Sequence, residues 1–333
     1  MRGSRTENTK RTVRARRAAL PSRRRRFART RIFWAFFGVI TLLVTVSVVM
    51  TGVFSGPHSA APSSLPPAKP STRYTTVPAA PPKVTAMPGS APSASSALTT
   101  AFDQLKDKLN AQVGVVIKAV GSDQDPIVLG DLQTGKAWST MKVPLAIAAL
   151  QEEQYPKVTD TMTAAITESN NLEAEKIWAR LGDPYTAAHK VEEVLRQAGD
   201  PTRVESKKVR PEFTAFGQSD WALANQVRFI SYAVCQNSDE PILNLMGQVE
   251  PDQRWGLGTI ANTRFKGGWG PSPTGQYLVR QMGVLTTPTG QTAVAVAAQP
   301  ASGSLNDGTQ DLTEISTWLT QHLGALPVGR CDH

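Results

Sequence analysis

Apolar residues fall into three spacings along the chain, and each predicts a different element. Between 96 and 111, Leu98, Phe102, Leu105 and Leu109 recur at three- and four-residue intervals, which predicts an amphipathic helix. "QVGVVIKAV" (112–120) and "DPIVLGDL" (125–132) read as two strands separated by the turn residues "GSDQ". Helical spacing returns over 160–182, 185–198 and 219–236. Strands with Gly/Pro turns follow at 263–270, 277–287 and 292–300, and "LTEISTWLTQHL" (312–323) closes as an amphipathic helix. Strands at both ends with helices between them predict an α+β fold, not alternating βαβ units. The two early strands and the three late ones are expected to share one antiparallel sheet of about five strands, flanked by helices and a helical subdomain.

Two unbroken apolar runs break this rhythm. Ile32 to Phe54 is 23 residues without a charge, long enough for a helix to span a bilayer. It follows a segment, 1–31, with 13 Lys/Arg and one acidic residue, a formal charge of +12. The whole chain carries +9, so residues 32–333 sum to −3 and the basicity belongs to the tail. A run such as Arg23 to Arg26 is compatible with nucleic acid, but beside an apolar span it reads as a cytoplasmic flank. The expectation is a single-pass cell-membrane protein, N-terminus inside and C-terminal domain outside, with no nucleic-acid partner. A cleaved signal peptide, with Ala60 and Ala61 near its end, is the competing reading; its apolar region is normally shorter, about 7–15 residues.

Residues 55–96 hold ten prolines among Ala, Ser and Thr, and are expected to be an extended linker. The ordered domain is placed at 97–333. Both cysteines, Cys235 and Cys331, fall in it, and an exported pair predicts one disulfide, with two buried free thiols as the alternative. The four histidines lack metal-ligand spacing and no Gly-rich phosphate loop is present, so neither metal nor cofactor is expected.

The second apolar run, Val143 to Leu150, predicts a helix buried on most sides, and Pro144 places its start close to Ser139. Ser139 and Lys142 then share one face. A lysine beside such a run either snorkels to water or is desolvated and loses its proton readily. Two further groups follow in order. Ser169-Asn170-Asn171 precedes an amphipathic helix, and Lys266-Gly267-Gly268-Trp269 lies on a predicted strand. Taken singly, Ser139 and Ser169 also suit helix caps, and Lys266 suits an exposed strand charge.

As an ordered set, Ser139-x-x-Lys142, Ser169-x-Asn171 and Lys266-Gly-Gly resemble the S-x-x-K, S-D-N and K-T-G motifs of the penicillin-recognising serine enzymes. The flanks are similar to those of class A β-lactamases over about residues 97–325. The resemblance implies that Ser139 is an acylated nucleophile and that Lys142 takes its proton. It implies that Ser169 passes a proton to the leaving nitrogen and that Asn171 holds a substrate amide. Lys266 would face a substrate carboxylate, and the N–H groups of Ser139 and Trp269 would form an oxyanion hole. Gly267 and Gly268 would admit substrate close to the strand.

The chain also departs from that pattern. Ser139 and Ser169 are 30 residues apart, shorter than in class A β-lactamases. The Ω-loop motif Glu-x-x-Leu-Asn has no match in "TRVESKKVRPEFTAFGQSDW", which offers only Glu205 and Glu212. Gly267 stands where the family has Thr or Ser. The reading is an extracytoplasmic serine hydrolase or acyl-transferase acting on a β-lactam or peptidoglycan-like amide. The alternative is a catalytically degenerate domain that binds a cell-wall component or a partner protein.

Overall fold

The computed structural model describes residues 94–154 and 156–331. The basic segment, the apolar span Ile32–Phe54 and the linker up to residue 93 lie outside the described residues. Among the described residues no helix is long and apolar enough to cross a membrane.

In chain order the elements are α1 (Ala94–Lys106), β1 (Ala111–Ala119), β2 (Ile127–Gly130), a 3-10 turn Trp138–Met141 and α2 (Lys142–Gln151). The helical block continues with α3 (Asp160–Thr167), α4 (Asn171–Arg180), α5 (Pro184–Gln197), α6 (Leu223–Ala233) and α7 (Glu240–Leu245). Then come β3 (Thr263–Pro271), β4 (Tyr277–Thr287), β5 (Gly290–Pro300) and α8 (Leu305–Gln321). The five strands form one antiparallel sheet in the order β2-β1-β5-β4-β3. The early hairpin therefore joins the late meander through β1 and β5, as the segregated order of elements predicts.

Strand alternation sorts the sheet into two faces. On one, Val115, Ile117, Val294 and Val296 pack with Phe102 of α1 and with Ile315 and Leu319 of α8. On the other, Val116, Met282, Ala293, Ala295 and Ala297 meet the helical block, including Ile147 of α2 and Val227 of α6. The alanines on β5 leave room for a helix to lie close to that face.

Three boundaries differ from the pattern. The helical spacing over 160–182 covers two helices, because Ser169 turns to φ 57 and Asn170 caps a new helix by accepting from Leu172 and Glu173 N–H. α8 begins at Leu305, where Ser304 accepts from Asp307 N–H, ahead of the apolar stripe. α1 begins at Ala94, inside the predicted linker. Cys235, just beyond α6, is bonded to Cys331, with Cα atoms 5.2 Å apart.

Candidate active site

Ser139 sits in the 3-10 turn that leads into α2, and its hydroxyl caps no helix. The residue before it, Trp138, holds φ 49, a conformation costing a bulky residue on the order of 1–3 kcal/mol. A buried frame holds this turn. Arg280 on β4 donates to Gly135 O (2.8 Å), Lys136 O (3.0 Å) and Gln226 Oε1 (2.6 Å). Gln226 in turn donates to Thr140 Oγ1 at 2.8 Å, and Thr140 donates to Ala137 O at 2.5 Å. Burial lowers the Arg280 pKa to about 9, so the guanidinium relies on these carbonyls for its partners.

Lys142 opens α2, whose residues Lys142–Leu150 are all buried. It does not snorkel: its ammonium turns inward, donating to Ser169 O and to Asn171 Oδ1 (2.7 Å), with Ser169 Oγ at 3.4 Å. Burial lowers its pKa to about 7. Lys266, fully buried on β3, donates to Ser169 Oγ at 2.8 Å and to Gly267 O at 3.1 Å. Its pKa is pushed well below that of an ordinary lysine, first by burial and then by the charge of Lys142. Among the described residues neither lysine has a carboxylate partner. The Ser169 hydroxyl thus bridges two desolvated amines.

β3 is an edge strand and runs past the Ser139 turn. A Cβ built on Gly268 would lie 2.9 Å from Ser139 N, Thr140 N and Ala137 O. What approaches this glycine is therefore the Ser139 turn itself. Gly267 faces the ring of Trp255, 3.3 Å from where its Cβ would be. A cleft of about 180 Å³ opens at Ser139, and Asn171, Phe213, Thr214, Trp269 and Tyr277 are on its wall. Among the described residues no carboxylate lines it. Glu212 is exposed and paired with Arg210 at 3.0 Å, and Glu205 accepts from Lys207 N–H at 3.0 Å.

The structure thus brings Ser139, Lys142, Ser169, Asn171, Lys266, Gly268 and Trp269 together, from three separate stretches of chain. Cys235 and Cys331 are a separate feature, tying the C-terminal tail to the end of α6. Sequence reasoning missed Phe213, Thr214 and Tyr277 in the cleft wall and Arg280 behind the turn. The only sequence signal for Arg280 is a charge in the middle of an apolar strand.

No protein-family model and no curated protein sequence matches the chain. Solved structures do. A class A β-lactamase from Bacteroides cellulosilyticus superposes with a TM-score of 0.57 at 13% identity, over 71% of this chain and 100% of that one. One from Mycobacterium abscessus gives 0.54 at 14% identity, over 68% and 99%. The extended-spectrum β-lactamase TLA-1 gives 0.55 at 15% identity, over 69% and 99%. The fold is that of the class A β-lactamases. At these identities the likeness is one of architecture, and this chain covers those structures almost end to end.

Proposed function

We propose that this domain is a serine acyl-transferring enzyme that opens a β-lactam or a peptidoglycan-like amide through an acyl-enzyme on Ser139. The observation that carries the reading is the pairing of two buried, carboxylate-free lysines across the Ser169 hydroxyl, beside a half-buried serine at the mouth of a cleft.

The chemistry follows from counting protons. A neutral Lys142 has two N–H bonds and one lone pair. Ser169 O and Asn171 Oδ1 take the two donors, and the lone pair remains to accept the Ser139 proton. As the Ser139 Oγ–C bond forms and the amide C–N bond breaks, the proton passes from Lys142 through Ser169 Oγ to the leaving nitrogen. Lys266 donates to Ser169 Oγ at 2.8 Å, and two buried amines this close disfavour each other's charge, which favours a neutral amine in the pair. The N–H groups of Ser139 and Trp269 are the oxyanion donors in this reading, and loss of one such donor typically lowers the rate by about 10²–10³.

A fluorescent penicillin or fluorophosphonate tests the proposal. Labelling of the full-length protein that disappears in Ser139→Ala supports it, and absence of labelling at any concentration overturns it. We further propose that Ile32–Phe54 anchors the chain with the domain outside the cell membrane. Protease added to spheroplasts should then digest residues beyond 55; survival of that region while the basic tail is cut would reverse the orientation.

A further inference from the structure

Neutral side chains surround the strand edge beside Ser139. Among the described residues no charged side chain lines the Ser139 cleft. The side-chain position of Gly267 on β3 points to the sheet face opposite that of Lys266 and Gly268. On that face Phe265 and Trp269 flank it two residues away, and Gln281 stands opposite it on β4. The rings of Trp255 and Trp269 lie 3.3 and 3.5 Å from where a Gly267 Cβ would be, and meet edge-on with centroids 5.7 Å apart.

Trp255 is not a loose cover. Gln281 is fully buried; its amide donates to Trp255 O at 2.8 Å and accepts from Leu257 N–H at 2.6 Å. Gly256 N–H donates to Thr313 Oγ1 at 3.1 Å, tying the same turn to α8. Gln253 donates to Glu168 O at 2.9 Å, tying it to the approach to Ser169.

The cations near this edge are committed elsewhere. Lys266 is 0% exposed, and its amine is given to Ser169 Oγ and Gly267 O. Arg254, next to Trp255 in the chain, donates to Gly247 O at 3.3 Å and Val249 O at 3.4 Å, with its guanidinium 5.9 Å from the centre of the Phe265 ring. Each indole offers one neutral N–H and no charge. A carboxylate brought here would leave water for hydrocarbon without a counter-charge, a larger penalty than for a neutral polar group.

The direction of the reaction says which part of a substrate meets this wall. Ser169 hands the proton to the leaving group, and Lys266 links Ser169 to Gly267 O. The leaving group therefore lies toward the Gly267 end of β3. We infer that the group expelled by Ser139 carries no carboxylate beside the scissile bond, and that it packs as an uncharged apolar or aromatic group against Trp255 and Trp269. The inference rests on the reading of Ser139 as the nucleophile. It departs from the role that the K-T-G resemblance implies for Lys266, which here serves Ser169 and not a substrate anion. The substrate class is a neutral ester or amide, a bond within a chain and not one beside a free carboxyl end. With an ester, the Ser139 Oγ–C bond forms, the C–O bond breaks, and the Ser139 proton ends on the leaving oxygen.

Two phenylacetate esters that share their acyl group and differ only in a carboxylate on the leaving group test it: those of phenol and of 3-hydroxybenzoic acid. Acylation is followed by intact mass of the full-length protein and by release of the phenol. The phenol ester should acylate Ser139 faster by roughly 10–100-fold, the usual cost of a buried polar group left unpaired. Trp255→Arg, which sets a cation beside Gly267, should invert the preference, and Trp255→Phe should keep it. An uncharged fluorophosphonate reports whether each variant retains a reactive Ser139. Benzylpenicillin carries such a carboxylate, so it should still form an adduct, but more slowly than its methyl ester. In the parent protein, a carboxylate-bearing ester that acylates as fast as the phenol ester, or faster, would overturn the inference and leave the nucleophile reading intact. No adduct from either ester would also overturn it, and the nucleophile reading falls with it if the fluorophosphonate fails to label.

Discussion

Gly268 lies directly against the backbone of Ser139, leaving no room between the edge strand and the Ser139 turn for a methyl group. A Cβ on Gly268 would stand 2.9 Å from three backbone atoms of that turn, which Arg280 and Gln226 hold from the other side. Backbone cannot rotate away as a side chain can. Gly268→Ala should therefore move Ser139 or β3, abolish penicillin labelling, and destabilise the domain by about 1–3 kcal/mol. Gly267→Ala meets side chains and no backbone, the Trp255 ring at 3.3 Å and the Trp269 ring at 3.5 Å, and should label within a few-fold of the parent. Urea unfolding and labelling of both variants would show the contrast; equal behaviour of the two would contradict it.

Lys142 couples activity and stability to pH. Its folded pKa of about 7 lies below the ordinary lysine value of 10.5, so between these limits the unfolded chain holds a proton that the folded chain lacks. Stability must then rise with pH across that window, by at most about 1.4 kcal/mol per pH unit for one group. Lys266 is displaced in the same direction. Acylation should likewise increase as pH rises through about 7 and frees the Lys142 lone pair. Urea midpoints measured from pH 7 to 9.5 should climb in the parent and climb less in Lys142→Met. A parent profile that falls with pH would show that Lys142 is charged in the folded state.

How much of this was legible in the sequence depends on how local each feature is. Ser139 and Lys142 were readable because one turn of helix sets their relation. The sheet was readable because β1, β4 and β5 are largely apolar runs, buried over most of their length, and Gly/Pro turns separate the late strands. The break at Ser169 was legible in part: helical spacing runs through 160–182, while Ser169-Asn170-Asn171 reads as the approach to a new amphipathic helix. The capping residue is Asn170, and the positive φ of Ser169 had no sequence signal. Arg280, 140 residues beyond Thr140, reaches the Ser139 turn through Gln226, and no spacing rule connects them. The motif resemblance in the sequence implies a hydroxyl missing at Gly267. The Trp255 ring now lies within 3.3 Å of the Cβ position, so a larger residue there would crowd it.

The Cys235–Cys331 bond spans a sequence separation of 96 and holds a tail that also pairs Gly329 with Gln291, accepts from Thr292 Oγ1 at Pro327 O, and donates from Arg330 to Thr289 O. Chain entropy assigns a closure of this length up to about 4–5 kcal/mol. Reduction, or the double variant Cys235→Ser/Cys331→Ser, should lower the unfolding midpoint clearly. The penicillin label should survive below that midpoint, because neither cysteine lines the Ser139 cleft. Two alkylatable thiols in the unreduced, denatured protein would refute the bond.

The fate of the acyl-enzyme follows from what the cleft lacks. In the proposed reading acylation draws on Lys142, Ser169 and backbone donors, and the chain offers a candidate for each. Hydrolysis of the ester needs a base that activates water, and among the described residues no carboxylate lines the cleft. Where the loop reaches the cleft it contributes Phe213 and Thr214, while Glu212 points to Arg210 and Glu205 to the backbone of its own turn. The second step should be the slower by orders of magnitude. A penicillin in excess should leave a persistent adduct of stoichiometric mass on Ser139, with little product in solution. Lys142→Ala should suppress the adduct, while Glu205→Gln and Glu212→Gln should leave both its formation and its lifetime unchanged. Rapid turnover without a detectable adduct, abolished by either glutamate substitution, would show that the loop moves to bring a carboxylate to the ester.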